Sequence, residues 1–156
     1  MTLAIEYEQA TRDAELARLR RVLAVRAMLT EGASQREVAK LLGVTQPAIS
    51  YQVANGRTDG VRPSDLIAAG GSILRQVAER RGFSDLAVFG SAARGDDRRD
   101  SDVDLLVQPP GDADLFDMLR LEEALEVILG RGVDLVSYGG LDVKRDRDIL
   151  RDKVLL

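Results

Sequence analysis

Asp102 and Asp104 stand at the head of an apolar run, Val103, Leu105, Leu106 and Val107, that calls for burial. Alternate residues of an extended strand share a face, so the two carboxylates project to one side with Cα atoms roughly 6.6 Å apart. Paired carboxylates beside an apolar sheet repel each other and shift toward protonation unless a cation compensates. A divalent metal held between them is the simplest compensation. The 156 residues include no histidine and no cysteine, so any such metal is held by oxygen, which favours magnesium, manganese or calcium. The missing histidine also removes the commonest general base.

The elements around this pair follow from turn chemistry and apolar patterning. Leu86–Phe89 reads as a strand ended by Gly90 and Ser91, and Asp102–Val107 as the next strand, closed by Pro109, Pro110 and Gly111. Asp112 or Asp114 caps a helix with Leu115, Met118, Leu121, Leu125 and Ile128 on one side, stopped by Gly130-Arg131-Gly132. Val133–Val136 is a third strand, again with an aspartate, Asp134, near its start. A short charged helix near Arg145–Asp152 and a final strand at Val154–Leu156 complete a short sheet covered on one face by helices. Between the first two strands, Asp96, Asp97, Arg98, Arg99 and Asp100 read as a solvated loop surface.

Upstream the pattern is helical. From about Asp13 to Glu31, Leu16, Leu19, Leu23 and Ala27 form an apolar stripe, and Gly32 is a stop. Ser34 and Glu37 make a capping box for a helix carrying Val38, Leu41 and Leu42 inward as far as Gly43. Thr45 caps the next helix, with Pro47 in its first turn, Ile49 and Val53 inward, and Asn55-Gly56 at its end. Asp59–Ser64 is rich in turn formers. Gly70 and Gly71 then fall inside an apolar helical pattern, where two glycines cost roughly 2 kcal/mol relative to alanine. Either the helix breaks there or the backbone is needed close to another element. We read a break, with Ser64–Ala69 closing a first domain (1–69) and Ser72–Arg81 opening a second (70–156).

The net charge of −4 is unevenly spread. Residues 1–60 carry 8 basic and 7 acidic side chains, and residues 61–156 carry 14 and 19. The second part alone is a poor partner for bare phosphate backbones; the first is neutral enough to bind DNA if its basic residues share a face. No apolar run approaches membrane-spanning length and the N-terminus lacks a signal-peptide pattern, so no membrane association and a cytoplasmic location are expected.

Gly90-Ser91, ten further residues and Asp102-x-Asp104, with Arg94, Gly95, Ser101 and Leu105 in place, resembles the minimal nucleotidyltransferase family of polymerase-beta-like nucleotidyltransferases. The resemblance covers about residues 72–156 and implies an α+β fold with a short mixed sheet. It makes Asp134 the third carboxylate, with Asp102, Asp104 and Asp134 as catalytic, metal-holding residues for two magnesium ions and ATP as nucleotide donor. It makes Gly90 and Ser91 the nucleotide-binding turn, where the backbone and the serine hydroxyl meet phosphate oxygens. Asp134 is also placed to accept the acceptor's proton. Arg94 either steadies phosphate oxygens or fixes the loop through Asp96, Asp97 or Asp100.

Gln35–Ser50 resembles the DNA-binding helix-turn-helix of the Xre/phage-repressor family, with Ala39 at the helix crossing, Gly43 in the turn and Ile49 as the lock. That resemblance puts Gln46, Pro47, Ser50 and Tyr51 toward the major groove of double-stranded operator DNA and Arg57 on a phosphate. Operators read this way are usually two-fold, so a homodimer, or a hetero-oligomer with a toxin partner, is expected, although Leu16–Ala27 could equally be intramolecular core. Minimal nucleotidyltransferases are often antitoxins that transfer AMP from ATP to a tyrosine of a partner HEPN-type toxin. A helix-turn-helix in front suits an antitoxin that also represses its own operon. Two alternatives stay open: a transcription regulator that senses nucleotide without turnover, and a nucleotidyltransferase acting on a small molecule or RNA.

Overall fold

Two apolar stripes run along the second half of α1 (Thr2–Thr30), and a helix with two such stripes has to be covered on two sides. The computed structural model, which describes residues 2–156, shows both coverings. Leu19, Leu23 and Ala27 enter the main core beneath the sheet. Val25, Met28 and Leu29 instead face a smaller core formed with Val38, Ala39 and Ile49 of α2 (Gln35–Leu42) and α3 (Gln46–Asn55). α1 is thus a wall shared by two cores. It also begins at Thr2 rather than near Asp13. Its first half is mostly exposed and built from good helix formers without an apolar stripe, so periodicity alone does not find it.

The caps of the short helices are local. The Ser34 hydroxyl accepts from the Glu37 amide (3.1 Å), Gly43 ends α2 at φ +67°, and the Thr45 hydroxyl accepts from Ala48 (3.3 Å). One part of the reading is corrected. Leu41, Leu42 and Val53, expected inward, are exposed, Leu41 by 73%. α2 packs on α1 and α3, and the core these three share is filled by Val25, Val38, Ala39 and Ile49. A bundle this small has no surface left to cover the last turn of α2.

The expected break at Gly70-Gly71 is also corrected, because α4 (Pro63–Arg80) runs through both glycines without interruption. Both are buried, and a Cβ at Gly70 would stand 2.4 Å from Leu23 Cδ1. The glycine lets α4 and α1 approach closely, and that packing offsets its poor propensity.

β1 (Ser84–Phe89), β2 (Val103–Gln108), β3 (Val133–Ser137) and β4 (Val154–Leu155) form a four-stranded mixed sheet in the order β3-β2-β1-β4. β2 and β3 are parallel, joined through α6 (Leu115–Leu129), and the other pairings are antiparallel. Asp114 caps α6 in a reciprocal capping box with Asp117. Alternation sends Leu86, Val88, Val103, Leu105, Val107, Val133 and Leu135 into the main core with α1, α4 and α6. The opposite face is not bare: Ala87, Phe89 and Leu106 pack there with Val136, Tyr138, Leu141 and Ile149, which belong to β3 and the chain beyond it, including α7 (Arg147–Asp152). Among the described residues no helix is long and apolar enough to cross a membrane.

Candidate active site

Three adjacent strand positions build the site. Phe89 is the Cα partner of Asp104 across the antiparallel pair, and Asp104 is the partner of Asp134 across the parallel pair. Since Val103 and Leu105 point into the main core, Asp102 and Asp104 point to the other face, and Asp134, between inward Val133 and Leu135, does the same. The sheet therefore brings the three aspartates to one face at one end of β2 and β3. Asp104 is half-buried, while Asp102 and Asp134 are exposed.

Glycine makes this crowding possible. β1 passes directly into the five-residue helix α5 (Gly90–Arg94), and Gly90 turns the corner at φ +68°. A Cβ there would lie 2.3 Å from Asp104 Oδ2, and one at Gly132 would lie 2.6 Å from Asp102 Oδ1. Any side chain at either position would invade the space of a carboxylate. Ser91 follows, half-buried, with its carbonyl accepting from the Gly95 and Asp96 amides (2.9 and 3.2 Å).

Burial, reinforced by the charges of Asp134 and Asp102, holds the Asp104 carboxyl above the usual carboxylate range, against an opposing pull from Arg94. Arg94 pairs with Asp96 (3.2 Å), one of the loop carboxylates weighed for it, and approaches Asp152 of α7 at 3.9 Å. About half of its side chain is exposed, and it is both a loop fastener and a positive charge felt by Asp104. Among the described residues no three side chains converge into a ready-made metal cage. The donor set nonetheless fits a hard divalent cation: it is all oxygen, and its central member carries a repulsion that positive charge would relieve.

Two glutamates that the motif does not include hold the third aspartate's strand. β3 is a sheet edge, and its outward amides at Val133 and Leu135 donate to Glu126 Oε1 (3.2 Å) and Glu122 Oε2 (2.9 Å) of α6. They bracket Asp134. Their spacing of four on one helix face is the only trace of this in the sequence. The loop after α5 departs from the solvated surface expected of it. Asp97 has a fully buried side chain that accepts from Arg62 Nη2 (2.8 Å) and the Ser64 amide (2.7 Å), and these bonds hold its carboxyl below the usual range despite the opposing effect of burial.

The residues considered for DNA lie on a separate surface. Pro47, Ser50 and Tyr51 share an exposed face of α3, and Arg57 is exposed beyond its end. Gln46 is half-buried and donates to Gln35 Oε1 (2.9 Å). None of these residues belongs to the three-aspartate site.

A family model described as a nucleotidyltransferase domain matches residues 71–156. A protein adenylyltransferase, MntA, of Thermococcus cleftensis is 40% identical over 80 residues, which is 51% of this chain and 81% of that protein. A protein of Methanocaldococcus jannaschii, named as a candidate protein adenylyltransferase, is 33% identical over 49% of this chain and 76% of its own length. A solved structure described as a candidate minimal nucleotidyltransferase superposes with a TM-score of 0.55 at 39% identity, covering 60% of this chain and 95% of that one. A toxin–antitoxin complex with AMP-PNP matches at a TM-score of only 0.40 and 24% identity, too loosely to support an assignment.

Proposed function

This chain belongs to the nucleotidyltransferase-domain family and is a nucleotidyltransferase, and from that premise we propose that it is an antitoxin that transfers AMP from ATP to a partner protein. The observation that carries the reading is the alignment of Asp102, Asp104 and Asp134 on one sheet face beside the Gly90 turn. The similarity to a protein adenylyltransferase supports a protein as acceptor. A HEPN-type toxin modified on tyrosine is the partner we infer, as the family resemblance suggests.

The step is an in-line displacement. The acceptor hydroxyl oxygen forms a bond to the α-phosphorus of ATP, the bond from that phosphorus to the bridging oxygen breaks, and pyrophosphate leaves with the electron pair. Asp134, exposed at the rim, takes the hydroxyl proton. The Gly90 turn lets backbone approach the triphosphate, with the Ser91 hydroxyl and amide as donors to its oxygens. Asp102, Asp104 and Asp134 would hold magnesium, which supplies neutralisation of the triphosphate charge and a lowered pKa at the acceptor hydroxyl. Positioning and electrostatics do most of the rest.

In the same proposal α2 and α3 form a helix-turn-helix that binds the operator of its own operon, as residues 1–69 of a two-part chain. Pro47, Ser50 and Tyr51 face the groove, Gln46 contacts a base while Gln35 fixes its amide, and Arg57 meets a phosphate.

Co-expression with the product of the neighbouring gene, followed by intact-mass measurement, tests the enzymatic part. The partner should gain the mass of one or more AMP groups, and Asp102→Ala or Asp104→Ala should abolish the gain. If those variants neutralise the partner as well as the parent chain does, neutralisation works by binding and the enzymatic antitoxin reading fails.

A further inference from the structure

The segment from Gly95 to Ser101 joins the two parts of the active site, the Gly90-Ser91 turn with α5 on one side and Asp102 on the other. A seven-residue polar connection of this kind is ordinarily mobile. Here both ends are tied to one stretch of chain that precedes the family-matched residues. Arg62 Nη2 donates to the Gly95 carbonyl (2.8 Å) and to Asp97 Oδ1 (2.8 Å), and the Ser64 amide donates to Asp97 Oδ2 (2.7 Å). At the other end Arg131 Nη1 donates to the carbonyls of Arg99 and Ser101 (3.0 Å to the latter), and its Nη2 donates to the Val61 carbonyl (2.7 Å).

Both ties bear directly on catalytic geometry. Ser101 is bonded to Asp102, so fixing its carbonyl fixes the approach of the backbone to that aspartate. Arg131 precedes Gly132, which lies against Asp102 and whose carbonyl accepts from the Val103 amide (3.0 Å). Val61–Ser64 is itself anchored. Thr58, a few residues earlier, donates to the Leu129 carbonyl (2.9 Å), and Arg26 of α1 reaches Thr58, the Gly56 carbonyl and the Ile128 carbonyl. A hydrogen-bonded support, Val61–Ser64, thus lies outside the family-matched residues, and it grips the loop on which the spacing of Gly90 and Asp102 depends.

We propose that Arg62, Asp97 and Arg131 are positioning residues for nucleotidyl transfer, through which the helical half of the chain holds the Gly95–Ser101 loop in its reactive geometry. None of the three touches the reacting atoms. They set the alignment of groups that do, and in-line chemistry is sensitive to alignment at the ångström level. Arginine suits both places because its several fixed donors reach more than one acceptor at once: Arg62 Nη2 serves Gly95 and Asp97, and Arg131 serves Arg99, Ser101 and Val61.

The proposal rests on the nucleotidyl-transfer reading, and the test separates the two. Arg62→Ala, Arg62→Lys and Arg131→Ala are made in the full chain. Amide hydrogen exchange is followed by peptide, affinity for magnesium AMP-PNP is measured, and the rate of AMP transfer to the neighbouring-gene product is recorded. Exchange in residues 95–101 should rise about tenfold in the alanine variants while β1 and α6 keep parental exchange. The transfer rate should fall about 100-fold with magnesium AMP-PNP affinity changed less than about threefold, and Arg62→Lys should recover part of the loss. Arg62→Ala combined with Asp97→Asn should be little worse than the stronger single change, since both break one tie. Unchanged exchange in the loop overturns the proposal, and so does a rate loss that tracks a general rise of exchange across the sheet. A parent chain that neither binds magnesium AMP-PNP nor transfers AMP sinks the functional reading instead, while the exchange comparison still decides whether the ties hold the loop.

Discussion

The two cores that share α1 are built to different tolerances. Beneath the sheet, twenty buried residues among those described, from α1, α4, Phe83, α6, β1, β2 and β3, enclose one another, and the inward apolar positions of β1, β2 and β3 are covered. Beyond α1, four buried residues hold α2 and α3, and Leu41, Leu42 and Val53 remain outside. The large core can afford three carboxylates on the back of its sheet because close packing fixes their strands. The small one fixes only how two short helices cross. Chemistry therefore belongs to the first region, and surface recognition suits the second.

The largest effect that tests this division comes from removing one carboxylate. Asp104→Ala should lower nucleotidyl transfer at least about 10³-fold if Asp104 has the metal-holding role proposed for it. The proposed salt-dependent binding to upstream DNA should be unchanged, because α3 lies on another surface. Stability should move the other way. The folded Asp104 carboxyl is raised by burial and by Asp134 and Asp102, so the folded state binds that proton more tightly than the unfolded state. Its contribution is fully present below the unfolded carboxylate pKa and is lost as pH rises through the folded value. At neutral pH without metal, Asp104→Asn should therefore melt higher than the parent chain. A lower melting temperature would show that Asp104 is structural, and would blur the division.

How much of this was legible in the sequence depends on how far apart the partners lie. The turn at Gly90, the Asp102–Asp104 pair and the strand carrying Asp134 are local patterns, and the sheet sets them side by side. Asp97 sits in a run of charges that looks solvated, and its partner Arg62 is 35 residues away. Arg131 reaches 70 residues back to Val61, and nothing in either neighbourhood signals it. Gly70 and Gly71 looked like a helix break because propensity is a local quantity, whereas the approach of Leu23 is not. Leu41 and Leu42 carry a helical period that is real. Only the size of the bundle decides whether anything covers them.

The next effect falls on the small core. Ile49 is fully buried against Val25, Val38 and Ala39, and truncating a buried isoleucine typically costs about 2–5 kcal/mol. Ile49→Ala should raise amide exchange in α2 and α3 and abolish the proposed DNA binding, with exchange in β2 and α6 unchanged. Equal loosening of both cores would mean that α1 couples them into one cooperative unit.

A smaller effect marks the seam between the regions. Asp97→Asn should cost about 1–2 kcal/mol at neutral pH, a modest value because Arg62 is 42% exposed. The Asp97 carboxyl is opposed by burial but held low by Ser64 and Arg62, so its stabilising share is present above the unfolded carboxylate pKa of about 3.9 and is lost as pH falls through the lower folded value. The gap in denaturation midpoint between Asp97→Asn and the parent should accordingly close in acid, below about pH 4. A gap that persists there would assign the effect to packing rather than charge.

The smallest expected effect is the sharpest test of the small core. If the helical period of α2 were satisfied by burial, Leu41 would be a core residue and a polar replacement would cost several kcal/mol. Leu41 is 73% exposed, and glutamine matches leucine in helix propensity. Leu41→Gln should therefore shift stability by less than about 0.5 kcal/mol in denaturant unfolding of the isolated chain. A loss of about 2 kcal/mol or more would mean that the last turn of α2 is covered in solution. A loss that appears only at high protein concentration would identify the cover as a second copy of the chain.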